Sequence, residues 1–369
     1  MIIESIKLIN FRNYSKLTLN FNNGINYIYG KNASGKTNLV EAIYFLSIAR
    51  SFRTSEDKEL INLNSELGSI TASIRTSIIG KKLQIYLTPE GKKILLENRQ
   101  VKKISELNEI INCLYFYPKD VLLLKDAPRV RRNFLNIAIS KNSSNYLKFI
   151  SAYEKLLKER NELLKKPNPN LLLLETITER LITYSKEIYL YRRTYSEGLN
   201  SKIKDVYQEI ADRYELLDFK YVPFIDDEAK YEEKARKAYA QTLKNDLKKK
   251  MTSIGVHKED FYLLKNGLNV GEFGSQGENR LAVLALKLTP YFLIEDEKLR
   301  PIVILDDVLS ELDEKHRELL IKFLRKLKQV FITNTEKINI THSTFYKVEA
   351  GNITKEDWLW AIRKLKLWN

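Results

Sequence analysis

The sequence predicts an α/β fold that is interrupted by a long helical insertion. Three observations support this prediction: alternating apolar residues near the N-terminus, helical periodicity through the middle, and a return to strand-like segments afterwards. We therefore expect residues 1–140 and 255–369 to form one head domain together, and residues 141–254 to form an inserted, mainly helical arm. At roughly 100 to 200 residues per domain, the chain is long enough for both.

The first part of the chain predicts strands around one helix. Apolar and polar residues alternate from Ile2 to Tyr29, with Asn22-Asn23-Gly24 as a turn, which is typical of short strands. Residues Thr37 to Ala49 follow helical spacing instead. Strand-like segments return from Ile70 to Leu96. We therefore expect a head with mixed sheets.

The middle of the chain predicts long helices. Apolar residues recur at helical spacing from Ser143 until Pro167-Asn168-Pro169, which ends the helix. A second periodic stretch, from about Leu171 to Tyr214, would be on the order of 65 Å long as one helix. A third helical segment covers Asp227 to Met251. Helices of this length predict a projecting antiparallel arm, after which α/β character returns at Gly255.

The composition predicts a basic protein of a reducing compartment. Lys and Arg number 62 against 47 Asp and Glu, which gives a formal net charge of +15. This charge favours a polyanionic partner, although a lysine-rich proteome would give the same balance. The single cysteine, Cys113, excludes an internal disulfide. Its apolar surroundings favour a buried thiol over a nucleophile.

Neither a secretion signal nor a membrane span is predicted. Glu4, Lys7 and Arg12 interrupt the first dozen residues, whereas a signal peptide needs an apolar core. The apolar stretch around Lys287 is too short to cross a bilayer. We therefore expect a soluble, cytoplasmic protein with no membrane partner.

Residues Gly30 to Thr37 match the phosphate-binding pattern GxxxxGK[ST]. They follow a strand-like segment and open a helix, the context that the pattern requires, which disfavours a simple glycine turn. Glycines let backbone amides face the phosphates, Lys36 adds a charge at the β and γ oxygens, and the Thr37 hydroxyl can ligate Mg²⁺. The residues predicted to hold ATP here are Gly30, Lys31, Asn32, Ala33, Ser34, Gly35, Lys36 and Thr37.

A second candidate element follows about 270 residues later. Residues Pro301 to Leu305 form a continuous apolar run that ends in Asp306 and Asp307. Such a run predicts a buried parallel strand, which places carboxylates at the edge of the sheet where ligands bind. With the P-loop present, we interpret it as a Walker B element. Asp306 would then orient Mg²⁺ and Asp307 would polarise the attacking water.

The segment Gly274 to Arg280 permits two interpretations. Ser275 and Glu278 have the spacing of a capping box, which is common at the start of a helix. A helix start with two nearby glycines is also an anion site, because free amides and the helix dipole point outward. The residues alone do not decide between the two.

Several short motifs resemble those of ABC-type ATPase heads in the SMC and RecF families. Residues Asn10 to Tyr14 are similar to an N-terminal strand signature, and Gly30 to Asn38 to the asparagine-containing P-loop of that superfamily. The narrower resemblance is to the RecF family, and it covers nearly the whole chain. The motifs that carry it are Arg50-Ser51-Phe52-Arg53-Thr54, Phe116-Tyr117-Pro118-Lys119-Asp120, Arg131-Arg132-Asn133-Phe134-Leu135, Ser275-Gln276-Gly277 and Ser310-Glu311-Leu312-Asp313.

The resemblance implies a composite ATP site between two copies of the chain. The signature segment, starting at Ser275, would contact the γ-phosphate of ATP held by the other copy, and Asp313 would cross the interface. Arg53 would lie near the nucleotide, with Arg12 a weaker candidate. The implied catalytic residues are Lys36, Asp306 and Asp307; the implied magnesium ligands are Thr37 and Asp306; and Asn38, Arg53, Ser275, Gln276 and Gly277 join the nucleotide-binding set.

The resemblance also implies a function. RecF-type proteins act in recombinational repair, where ATP drives homodimerisation on double-stranded DNA near single-strand gaps, without sequence specificity. We expect hydrolysis to be weak, stimulated by DNA, and to act as a switch. The implied partner is RecR, and the implied outcomes are RecA loading, replication restart and the SOS response.

Two positions depart from the ABC pattern. Asp307 stands where most ABC ATPases have Glu, and its shorter side chain predicts slow hydrolysis, although the acid pair itself resembles RecF. Thr333-Asn334-Thr335 stands where a switch histidine is usual, after the strand predicted from Val330 to Ile332. His257 lies in another RecF-like stretch, and we expect a histidine whose hydrogen bonds are satisfied.

The alternatives are an SMC-type structural head and the ATPase subunit of a transporter. The predicted arm is too short for the first, and the basic charge disfavours the second. Basic clusters that could contact DNA cannot be ranked from the sequence, and each is more often a solvated face. They are Arg129, Arg131 and Arg132, expected before a helix; Lys248, Lys249 and Lys250, expected at the end of one; and the tail from Trp358 to Trp368.

Overall fold

The computed structural model describes residues 1–76, 80–103, 106–107, 110–211 and 216–356. Within them the chain divides into two compact units. The first unit comprises residues 1–120, 205–211 and 284–356, and the second comprises residues 121–204 and 216–283. These units are sets of residues that contact one another, so the domain limits predicted after residues 140 and 254 stay a prediction.

The strands of the described residues number fifteen. In chain order they are β1 (Ile2–Phe11), β2 (Tyr14–Asn20), β3 (Gly24–Tyr29), β4 (Gly68–Arg75), β5 (Gly80–Thr88), β6 (Gly91–Leu96), β7 (Arg99–Gln100), β8 (Cys113–Phe116), β9 (Leu217–Val222), β10 (Asp260–Lys265), β11 (Leu268–Asn269), β12 (Ile302–Asp306), β13 (Gln329–Asn334), β14 (Ser343–Glu349) and β15 (Asn352–Glu356).

Eight α-helices lie in the same part of the chain. They are α1 (Lys36–Ile48), α2 (Pro128–Asn142), α3 (Ser144–Leu164), α4 (Leu171–Ala211), α5 (Tyr231–Lys249), α6 (Val270–Phe273), α7 (Gln276–Leu288) and α8 (Glu314–Leu324). The predicted early strands, the helix after the P-loop and the three long helical segments are therefore confirmed.

The first unit contains two six-stranded sheets. One is antiparallel, in the order β2-β1-β4-β5-β6-β7. Its strands alternate buried and exposed residues: in β4, Ile70, Ala72 and Ile74 are buried while their neighbours are not. This period of two is the pattern from which the strands were predicted.

The second sheet has the order β15-β14-β3-β13-β12-β8 and is parallel from β14 to β8. Every residue of β12 is buried, as the apolar run from Pro301 predicted, and every residue of β13 is buried as well. Helix α1 packs on this sheet through residues such as Leu39 and Ile43, within one core that also contains Ile304 and Phe331. Because β13 lies between β3 and β12, the loops that follow these strands meet at one edge.

The second unit is mainly helical. Ser143 caps α3 by accepting a hydrogen bond from the Tyr146 amide, and Pro167-Asn168-Pro169 lies between α3 and α4. Residues 171–204 of helix α4 belong to this unit, and the whole helix spans 41 residues, which corresponds to about 60 Å. Buried residues of both helices, among them Tyr153 and Leu181, pack in one apolar core. A three-stranded antiparallel sheet, β11-β10-β9, belongs to the same unit.

His257 is a satisfied interior residue, as expected. Its Nδ1 accepts a hydrogen bond from the Tyr153 hydroxyl at 2.7 Å, and its Nε2 donates to the Thr252 carbonyl at 3.2 Å. Burial lowers the pKa of His257 to about 4, so the ring is neutral at neutral pH. Its contacts lie within the second unit and hold the chain after α5.

The basic cluster of Arg129, Arg131 and Arg132 lies inside α2, so its predicted position before a helix is wrong. Pro128 occupies the first turn, where its missing N–H costs nothing, and the helix therefore starts before the arginines. Arg131 forms a bidentate ion pair with Asp260, with N–O distances of 2.7 and 2.6 Å. Arg132 donates to the Glu259 carbonyl at 2.8 Å. Both side chains bind parts of their own unit.

Three further expectations concern the thiol, membrane-spanning helices and the basic tail. Cys113 is buried in β8, as predicted. None of the helices that the structure describes combines the length and the apolarity needed to cross a membrane. The basic tail from Trp358 to Trp368 lies outside the described residues.

Arg160 and Asp246 form a buried ion pair in the second unit. Arg160 Nη1 lies 2.8 Å from Asp246 Oδ2, and both side chains are shielded from solvent. Arg160 also donates to Thr252 Oγ1 at 2.8 Å, and Asp246 accepts from the Ser253 amide at 3.0 Å. Because water cannot replace a lost partner at such a depth, each charge depends on the other.

We expect Arg160→Met to lower the free energy of unfolding of the second unit by about 3–5 kcal/mol, because it leaves the Asp246 carboxylate buried without its guanidinium. The control is Lys165→Met, which removes an exposed ion pair with Glu162 at the end of the same helix and is expected to change little. Chemical denaturation followed by circular dichroism measures both. Equal midpoints for the two variants would contradict the argument.

Candidate nucleotide site

The P-loop between β3 and α1 contains two positions that only glycine can occupy. Gly35 has a φ of 119°, and a Cβ there would lie 2.7 Å from both Asn13 Nδ2 and Tyr14 Oη. Gly30 has a φ of 157°, and its Cβ would lie 2.2 Å from the Val348 carbonyl oxygen. The loop is therefore packed tightly against its own unit at both glycines, where any side chain would collide.

Lys36 crosses the inside of the loop. Its Nζ donates to the Gly30 carbonyl at 2.7 Å and to the Lys31 carbonyl at 2.8 Å. Burial lowers the pKa of Lys36, and the negative charges of Asp307 and Asp306 oppose that effect. The ammonium group is therefore held where a phosphate bound by the loop would meet it.

The Ser34 hydroxyl is a candidate contact for a ligand oxygen. The side chain is 8% exposed, and among the described residues its hydroxyl has no hydrogen-bond partner. Its backbone carbonyl, in contrast, accepts from the Gly351 amide at 3.2 Å. An unpaired buried hydroxyl is unfavourable, so this position suits the oxygen of a bound phosphate. Lys31, Asn32 and Ala33 are exposed at the turn of the loop.

Asp306 meets Thr37 at the mouth of the loop. Asp306 Oδ1 accepts from Thr37 Oγ1 at 3.3 Å and from Thr333 Oγ1 at 2.5 Å, and Oδ2 accepts from the Tyr115 hydroxyl at 3.2 Å. Burial raises the pKa of Asp306, and these three donors counteract it. The structure thus brings together the two predicted magnesium ligands. A hydroxyl and a carboxylate fit Mg²⁺, which usually takes few protein ligands.

Sequence reasoning missed Thr333 and Tyr115. Thr333 lies at the end of β13, and it also accepts from the Asp307 amide at 3.0 Å. The ABC pattern predicts a histidine at this position, so a threonine there did not indicate a role in the site. Tyr115 lies in β8, which pairs with β12 in parallel, and its backbone carbonyl accepts from Lys287 Nζ at 3.1 Å. Only knowledge of the strand order would have placed it beside Asp306.

Asp307 has a different environment from Asp306. Its backbone is left-handed, with a φ of 53°, and Oδ1 accepts from Ser310 Oγ at 3.0 Å. The side chain is only partly buried, as the water-polarising role requires. Further along, Asp313 caps α8 by accepting from the His316 amide at 2.9 Å, and it stays largely exposed. Its proposed place at an interface stays a prediction.

Arg53 lies beside the start of α1. Its Nη1 donates to Asn38 Oδ1 at 2.7 Å and lies 3.4 Å from Glu41 Oε2. Glu41 is fully buried, and Arg12 also binds it through two N–O contacts of 3.0 and 2.8 Å. Glu41 was missed because nothing in its helical spacing distinguishes it. It holds both predicted arginines next to the P-loop helix.

A cavity of about 570 Å³ borders this cluster in the first unit. It is mainly polar and carries more basic than acidic groups. The residues that line it are Arg50, Ser51, Phe52, Arg53, Thr54, Ser55, Asp57 and Lys92.

The predicted signature residues start α7 in the second unit. The Ser275 amide donates to Glu278 Oε2 at 2.8 Å, and the Glu278 amide donates to Ser275 Oγ at 3.3 Å, so the capping box is confirmed. Ser275, Gln276 and Gly277 are exposed, and a Cβ on Gly277 would meet no atom within 4 Å. The alternative interpretation as an anion site is compatible with this geometry and stays a prediction.

Comparison with known proteins shows the family of the chain. Residues 2–354 match the family model of the RecF/RecN/SMC N-terminal domain. The DNA replication and repair protein RecF of Clostridium novyi is 36% identical over 362 residues, which cover 96% of this chain and 100% of the relative. The RecF protein of Geobacillus kaustophilus is also 36% identical, over 96% of this chain and 99% of the relative.

Solved structures give the same result. A structure of the recombination mediator RecF with ATPγS, from the RecFOR pathway, has a TM-score of 0.87 and 34% identity, covering 96% of this chain and 98% of that one. An Smc head bound to a domain of ScpA has a TM-score of 0.59 at 15% identity, covering 98% of this chain and 100% of that one, which shows a common fold only. The mixed α/β ATPase-head fold with a helical insertion is therefore confirmed, and the chain belongs to the RecF family.

Proposed function

We propose that this protein binds ATP and double-stranded DNA in recombinational repair, and that ATP drives two copies together on DNA near single-strand gaps. The observation that carries the proposal is the contact of Thr37 with Asp306 at the mouth of a closed P-loop. Relatives over the full length are RecF proteins of DNA replication and repair, which supports the cellular role.

The P-loop residues would hold ATP as follows. Backbone amides of the loop and the Ser34 hydroxyl would face the phosphates, and Lys36 would exchange its carbonyl contacts for phosphate oxygens. Thr37 and Asp306 would hold Mg²⁺, which supplies neutralising charge at the phosphates when bound. RecF structures with ATP and ATPγS support this assignment.

Hydrolysis would be slow and would act as a switch. Asp307 is one methylene shorter than the usual glutamate, so it orients an attacking water less favourably. Thr333 stands at the position of the switch histidine and holds the Asp306 carboxylate and the Asp307 amide. The result is a weak ATPase that DNA stimulates.

The second half of each ATP site would come from the other copy. Ser275, Gln276 and Gly277 are exposed at the start of a helix, where amides and the helix dipole favour an anion. Arg53, bound to Asn38 beside the P-loop, would stand near the nucleotide. Two ATP molecules would thus join two chains, and hydrolysis would release them.

The partners follow from the family and from the charge. A net charge of +15 favours duplex and gapped DNA, bound through phosphates and without sequence specificity. RecR would be the protein partner, and RecA loading, replication restart and SOS induction the outcomes. The RecFOR pathway named for the solved relatives supports this proposal.

We expect Ser275→Ala to abolish the ATP-driven shift from monomer to dimer while ATP still binds each monomer, because the variant loses the contact with the other copy's nucleotide in addition to the Ser275 helix cap. Ser143→Ala is the matched control, since it also removes a helix cap that contacts a backbone amide. Lys36→Ala should abolish both ATP binding and dimerisation. Light scattering after size exclusion measures the shift, and an intact shift in Ser275→Ala or Lys36→Ala refutes the composite site.

We expect Thr333→Val to slow ATP hydrolysis by about tenfold or more with ATP binding retained, because the valine keeps the shape but cannot donate to Asp306. Asp307→Asn should slow hydrolysis further and let the ATP-bound dimer accumulate. Thr354→Val, on the exposed face of β15, is the control. Phosphate release is the measurement, and wild-type rates in both site variants would exclude these roles.

We expect duplex DNA to bind more tightly with ATP than without it, and its affinity to fall at least about tenfold between roughly 50 and 200 mM salt, because phosphate contacts release counterions. Fluorescence anisotropy with two duplexes of unrelated sequence tests this. An affinity for duplex DNA that changes neither with ATP nor with salt would contradict the proposed DNA role.

A further inference from the structure

The signature segment carries a carboxylate in its first turn. Glu278 lies three residues after Ser275, and its Oε2 accepts the Ser275 amide at 2.8 Å. A hydrogen bond from Lys265 is the largest of several contacts that lower the pKa of Glu278 to about 2. Glu278 is therefore negatively charged at neutral pH. A fixed anion thus stands at the helix start that would face a phosphate.

This charge opposes the proposed role of the segment. The amides and the dipole at the start of α7 attract an anion, but a carboxylate in the same turn repels a nucleotide that is itself multiply charged. The repulsion would be largest in a dimer, where the nucleotide of the other copy is desolvated against the helix. A neutralising group is needed for the segment to accept a phosphate.

Lys265 provides the neutralising charge. Its Nζ forms an ion pair with Glu278 Oε1, and the two side chains are only 20% and 21% exposed. Lys265 ends β10, where it pairs with Leu217 of β9 and with Leu268 of β11. The sheet therefore fixes the backbone that carries the ammonium group. Such an ion pair is less screened than one between mobile surface residues.

We propose that Lys265 is a positioning residue for the signature segment: it cancels the Glu278 charge and keeps the Glu278 cap in place, so that the start of α7 accepts the terminal phosphate of a nucleotide held by a second copy. This inference rests on the proposed ATP-driven dimerisation. It adds a residue outside the signature motif, on a neighbouring strand, to the composite site.

A structural role of the pair predicts a different result. If the ion pair only connects α7 to β10, removing either charge removes the same interaction. Both single variants then lose the same free energy of unfolding. If Lys265 acts by neutralisation, the two variants affect dimerisation differently: Lys265→Gln weakens it and Glu278→Gln does not. Removing Lys265 leaves the Glu278 charge without this ammonium group, whereas Glu278→Gln removes the carboxylate and keeps a residue that can complete a capping box.

The test measures ATP-driven dimerisation of the full chain with Mg²⁺-ATP by analytical ultracentrifugation, with thermal melts alongside. We expect Lys265→Gln to weaken dimerisation by about tenfold or more, and less so at high salt. Glu278→Gln should dimerise at least as well as the wild type. The double variant should dimerise with an affinity within about threefold of the wild type. Lys265→Arg, which keeps the positive charge, should dimerise like the wild type.

The control is Lys220→Gln, which makes the same charge change at an exposed position of β9 and should have no effect. Equal losses in Lys265→Gln and Glu278→Gln, or no rescue in the double variant, overturn the inference. If Lys265→Gln does not fold, Glu278→Gln alone decides, because a weakened dimer there contradicts neutralisation. A wild-type chain that stays monomeric with ATP refutes the proposed function itself.

Discussion

The position of β13 between β3 and β12 is the constraint on which the site depends. Three parallel strands end at one edge of the sheet, so the P-loop, Asp306 and the end of β13 meet there. Thr333 joins the acid pair there through its hydroxyl. The hydrogen bonds of one buried threonine therefore fix the orientation of the carboxylate that faces Thr37.

The charges around the P-loop are held by matched neighbouring side chains and carbonyls. Lys36 donates to two loop carbonyls, Asp306 accepts from three hydroxyls, and buried Glu41 binds Arg12 and Arg53. A site assembled in this way needs little rearrangement before a ligand enters, because its electrostatic field exists already. It also makes each member costly to remove, since an unpartnered buried charge is unfavourable.

Local patterns predicted the P-loop, the buried β12 strand and the capping box at Ser275, because each depends on residues close together in the chain. The roles of Thr333, Tyr115, Glu41 and Lys265 depend on pairings between distant segments, such as β8 beside β12. No spacing rule encodes those pairings. The arginines of α2 were predicted to precede a helix, whereas the helix already starts before them, at Pro128.

The buried thiol of Cys113 has a practical consequence. It is the one cysteine of the chain and it is buried in β8, so the folded protein should not react with thiol reagents. A cysteine introduced on an exposed surface, for example near the start of α7, would then be the single reactive group. Pairing of two chains could be trapped or labelled chemically without first removing a native residue from the core.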